Sequence, residues 1–67
     1  MRNSEFRIEE LNPFQEWHWH GSATGQEHAI ERAQNICRQI RRPVRVLATE
    51  SKVVAIFEPG GESPSEN

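Results

Sequence analysis

An α+β fold of two layers is predicted: ββαββ, with one amphipathic helix packed on a small, mainly antiparallel four-stranded sheet. Three observations predict it. One segment, residues 24–42, carries helical periodicity with start and stop signals. Two runs before it and two after it have strand character. And 67 residues with 34% hydrophobic content suffice for one domain and no more.

Taken in order, residues 6–9 (Phe-Arg-Ile-Glu) alternate apolar and polar, as a strand with one buried face does. Asn12-Pro13 is a turn signal. Residues 16–20 alternate again, with Trp17 and Trp19 on one face and His18 and His20 on the other. The tryptophans are expected to point inward and fill a core short of large side chains. Outward, they would be platforms for stacking on bases. Residues 21–25 read as a loop. Thr24, followed three residues later by Glu27, has the capping-box pattern. Ala29, Ile30, Ala33, Ile36, Cys37 and Ile40 then fall on one helical stripe, and Ile36 is expected to be buried between helix and sheet. Arg41 and Arg42 complement the helix dipole, and Pro43 stops the helix.

Residues 44–49 and 52–57 are β-rich runs about a turn at Glu50-Ser51. A regular hairpin there sets Ala48 opposite Val53, Val46 opposite Ala55 and Val44 opposite Phe57 on a wholly apolar face beneath the helix. Its other face then carries Thr49 with Lys52, Leu47 with Val54, and Arg45 with Ile56. The folded domain is expected over residues 5–58. Residues 59–67 (Pro-Gly-Gly-Glu-Ser-Pro-Ser-Glu-Asn) have the composition of a disordered acidic tail, and residues 1–4 are expected to fray.

A net charge of −2 hides a segregation. Residues 32–52 hold six basic residues and one acid, a local charge of +5, between acidic segments on either side. Arg38, Arg41, Arg42 and Arg45 therefore form a candidate anion or nucleic-acid site. Equally, arginines gathered where a helix ends serve its dipole and its solvation. The only cysteine, Cys37, lies on the apolar stripe, so no disulfide forms within the chain. The absence of a disulfide framework and the polar first residues point to a cytoplasmic protein. No apolar run approaches the roughly 20 residues of a membrane helix.

With these residues in view, a resemblance emerges. The tryptophan hairpin, the helix start Thr-Gly-Gln-Glu-His-Ala-Ile-Glu-Arg-Ala and the closing Pro-Val-Arg-Val and Val-Val-Ala-Ile-Phe runs are similar to those of small bacterial ββαββ proteins. The helix start also resembles that of HicB-type antitoxin domains, with Thr24, Glu27, Ala29 and Ala33 at the matching positions. The likeness covers residues 15–57 and implies a small bacterial domain that acts by binding. HicB-type proteins add a DNA-binding segment that these residues do not include, so DNA binding is not implied.

No catalytic constellation is expected. Glu27 is assigned to the helix cap, Ser22 to a loop, and Gly21-Ser-Ala-Thr-Gly25 lacks the lysine of a phosphate loop. His18 and His20 share a strand face, but two ligands do not make a zinc site, and His28 lies beyond the loop. No metal or cofactor is expected. The sequence thus predicts a binding module whose open sheet face, with Arg45, Leu47, Val54 and Ile56, meets an unidentified protein partner or a second copy of the chain. The alternative is a nucleic-acid-associated protein using the arginine cluster.

Overall fold

The structure is a computed structural model, describing residues 5–48 and 52–60. The four strands are β1 (Glu5–Leu11), β2 (Trp17–Thr24), β3 (Val44–Ala48) and β4 (Lys52–Phe57), and the helix α1 (Gln26–Ile40) lies between β2 and β3. All three strand pairs are antiparallel, and the spatial order is β2-β1-β3-β4. The predicted ββαββ architecture is therefore the observed one. The expected turn at Glu50-Ser51, the pairing of Thr49, the fraying of residues 1–4 and the tail from residue 61 onward lie outside the described residues. Pro59 and Gly60 form a turn beside the helix.

The β1–β2 hairpin closes on Asn12. Its Oδ1 accepts hydrogen bonds from the backbone N–H groups of Phe14 (2.8 Å) and Glu16 (2.9 Å), and its own N–H donates to the Glu16 carbonyl. This is the local side-chain bonding that makes asparagine a turn residue. Strand β2 then runs on through Thr24, where a loop was expected.

The helix is shorter at both ends than the segment 24–42 that predicts it. Thr24 closes β2 and does not cap α1. The cap position is Gly25, at φ 91°, with no side-chain hydrogen bond to the first helical amides. A glycine there frees the backbone to turn from strand to helix in one residue. At the other end Arg41 adopts the left-handed conformation (φ 59°), and its N–H donates to the Cys37 carbonyl. Pro43 follows, as helix-stop chemistry demands.

The core is built from small parts. Ala29, Ala33 and Cys37 form the fully covered line of α1 and lie against Ile8, Val44 and Val46. Residues four apart stack on one helix face, so this line lets the helix approach the sheet closely. Ile30, Ile36 and Ile40 flank it, half-buried. Ile36 is thus at the margin of the core and not its centre.

Both outer strands carry one extra residue. Along β1–β2 the pairing passes from Ile8–Gly21 to Glu9–Trp19, so His20 is bulged out of the ladder. Along β3–β4 it passes from Val46–Ala55 to Leu47–Val53, so Val54 is bulged. A bulge reverses the side-chain alternation beyond it. These two residues decide what the open face displays.

Candidate functional site: the open face of the sheet

The helix covers one side of the sheet. On the other side, the bulge at His20 turns Trp17 and Trp19 outward, which corrects the expectation that they fill the core. Trp19 is 61% exposed. The bulge at Val54 acts in the same way on β4. Val53 stands opposite Leu47 on the open face, 45% exposed, while Val54 packs against the core beneath the helix. Val54 is therefore withdrawn from the face where it was placed, and Ala48 pairs with Lys52 and not with Val53. Arg45 and Ile56 face each other across β3–β4 as expected, with Ile56 53% exposed. Leu47 lies on this face but is only 4% exposed, so it forms a floor and offers no contact area.

One row crosses the whole sheet: Trp19 on β2, Glu9 on β1, Arg45 on β3 and Ile56 on β4. Its centre is an ion network. The Arg45 guanidinium donates from Nε and Nη2 to Glu9 Oε1 at 2.9 and 2.8 Å, and Arg7 Nη2 donates to Glu9 Oε2 at 3.2 Å. Glu9 is almost wholly buried between its two arginines. The same Arg45 guanidinium lies 4.2 Å from the centroid of the Trp17 ring, a cation–π contact that ties the indole to the network. The result is a polar centre locked in place, with an aromatic column along one outer strand and an aliphatic column along the other.

The arginine cluster of the sequence is dispersed in space. Arg45 is committed to Glu9, and Arg42 Nη1 donates to Glu10 Oε2 at 3.1 Å. Arg38 donates to the Asn35 side chain, and Arg32 donates to the Ser22 carbonyl. Arg38 and Arg41 share a concavity. It has a volume of about 280 Å³ between the helix end and β4, lined also by Gln34, Cys37 and Phe57. On the opposite side of the helix a shallower groove of about 440 Å³ runs between α1 and β2, past His28 and Arg32. His20 Nε2 lies 3.7 Å from Glu10 Oε1, on the rim that Arg42 shares. Among the described residues no three His, Cys, Asp or Glu side chains gather as a metal site, and no helix is long and apolar enough to cross a membrane.

The reading from sequence missed the tryptophans and Val53 as surface residues, and also Phe14, which stands 79% exposed at the hairpin tip. For β2 a signal existed. Gly21 interrupts a strand pattern next to the bulge, where an isolated glycine marks an irregular ladder. Compared with protein-family models, with curated proteins and with solved structures, the chain matches none.

Proposed function

We propose that this chain is a small binding module that meets a protein partner through the open face of its sheet. The observation that carries the reading is Trp19, exposed and in one row with Arg45 and the exposed Ile56. Tryptophan and arginine dominate binding energy at protein interfaces, above all where a rigid aromatic side chain needs no ordering on contact. Trp17 is already ordered by Arg45. The same proposal makes the chain non-catalytic and bacterial, with a cytoplasmic setting, in keeping with its lone cysteine and the HicB-like start of its helix.

Electrostatics favours protein over nucleic acid. The charged residues that the strand alternation assigns to this face are Glu5, Arg7, Glu9 and Arg45, two of each sign. A nucleic-acid surface needs surplus positive charge to release counterions from phosphates. The arginines outside the face are spread over several acceptors.

A photo-crosslinking residue at the position of Ile56, with one at Gln39 on the outer side of the helix as control, tests the reading. A discrete protein adduct identified by mass spectrometry is expected from the first position only, and Trp19→Lys should abolish it. Titration with a labelled single-stranded DNA supplies the contrary outcome. Saturable binding that weakens steeply with salt and is lost in Arg38→Ala/Arg41→Ala would transfer the function to the arginines.

A further inference from the structure

We infer that the occupant of the open face is a second copy of this chain, seated face to face about a two-fold axis parallel to the strands and passing between β1 and β3. The inference rests on the reading of the face as a protein-binding surface, and names its partner.

The row Trp19–Glu9–Arg45–Ile56 is complementary to its own reverse. A half-turn about that axis lays β2 over β4 of the second copy and β1 over its β3, because the spatial order is β2-β1-β3-β4. Trp19 then lies over the other copy's Ile56, and Glu9 over the other copy's Arg45. The apolar contact between Trp19 and Ile56 is made twice, which is the isologous arrangement that a two-fold interface requires, while Glu9 and Arg45 stay paired within each chain and bring no unmatched charge to the seam. The aligned packing of two sheets supplies the geometry, face to face at about 10 Å.

Charge agrees with this partner. Any net charge on a self-associating face is met by its like, and the two acids and two bases assigned to this face cancel. Four strands span on the order of 20 Å in each direction. That footprint of about 400 Å² per partner is about half that of a standard specific interface, so the association is of the weak, reversible kind. Edge-to-edge pairing is disfavoured by the bulges at His20 and Val54, one on each outer strand, since a bulged edge does not template another strand.

Sedimentation equilibrium over a micromolar to millimolar series tests the proposal. The wild-type chain should dimerise reversibly. Trp19→Lys and Ile56→Glu should each weaken self-association by at least about tenfold. Both positions are exposed, so each variant should keep the wild-type circular dichroism. An equimolar mixture of the Trp19→Lys chain and the Ile56→Glu chain should dimerise where neither does alone, because the axis brings the two substituted positions together at one contact and leaves the other contact native. A mixture that stays monomeric overturns the axis. A wild-type chain that stays monomeric throughout overturns the second copy as occupant. In that case a crosslink from position 56 to a different protein leaves the face a binding surface, and no crosslink removes both readings.

Discussion

Gly25 and Glu9 show how single residues hold this fold. Gly25 takes a backbone conformation that L side chains rarely adopt, and a methyl group added there would meet nothing closer than His28 Nδ1 at 3.9 Å. The cost of Gly25→Ala is therefore conformational and not steric, about 1–2 kcal/mol in urea unfolding. Thr24→Ala should change stability by less than about 0.5 kcal/mol, because Thr24 makes no cap. Glu9 presents the opposite case, a nearly buried carboxylate with three charge-assisted hydrogen bonds. Glu9→Gln removes the charge but keeps the shape. It should cost about 2 kcal/mol, discounted from the value of a fully buried pair because Arg7 is half-exposed. Glu10→Gln, at a more open rim with Arg42, should cost less than about 1 kcal/mol. Equal midpoints for the two glutamine variants would show that the Glu9 network contributes no more than a surface pair.

At the level of elements, what was legible and what was not divide at the bulges. The helix stripe, the proline stop and the alternation in β1 and β3 each encode a buried face directly, so element order and the inner face could be read residue by residue. The capping box was a true pattern in the wrong place, because β2 extends to Thr24 and leaves the cap to glycine. The bulges were the larger loss. Val53 and Val54 are identical, so a one-residue shift between them changes which side chain meets Leu47 without altering any pattern in the chain. On β2 the alternation of Trp and His pointed to one face, and a single extra residue sent the tryptophans to the other. Deleting His20 should join Trp19 directly to Gly21 in a regular ladder with every β1–β2 pair kept, so both indoles stay on the open face. We expect a change of less than about 1 kcal/mol in urea unfolding, since only the exposed His20–Glu10 contact is lost. The ring-current shift of the Arg45 side-chain protons, produced by Trp17, should persist in the proton spectrum. Loss of that shift would mean that the pairing of Trp19 with Glu9 does not by itself hold the tryptophans outward.

For the molecule as a whole, the separation of charge along the chain did not survive folding. The basic segment is contiguous only in sequence. The antiparallel sheet inserts acidic β1 beside it, so Glu9 and Glu10 neutralise Arg45 and Arg42. The hydrophobic account carries through better, and it sets the stability. With one helix of small residues over Ile8, Val44 and Val46, the fully buried core is thin. A chain of 67 residues has a margin of about 3–10 kcal/mol. Ile8 sits on central strand β1 at 0% exposure, beneath the Ala29–Ala33–Cys37 line. Ile8→Ala opens a cavity that a backbone paired on both sides cannot close, at about 2–5 kcal/mol. Ile36 is half-buried at the helix margin, where solvent can fill the gap, so Ile36→Ala should cost about 1–2 kcal/mol. Ile56→Ala, on the open face, should cost less than either at concentrations too low for self-association. For a domain this small each kcal/mol moves the melting temperature by about 4–8 °C, so the three variants should separate clearly in thermal unfolding followed by far-UV circular dichroism. If Ile56→Ala lowers the melting temperature as far as Ile8→Ala does in dilute solution, the open face is a second core within one chain and is not free to receive a partner.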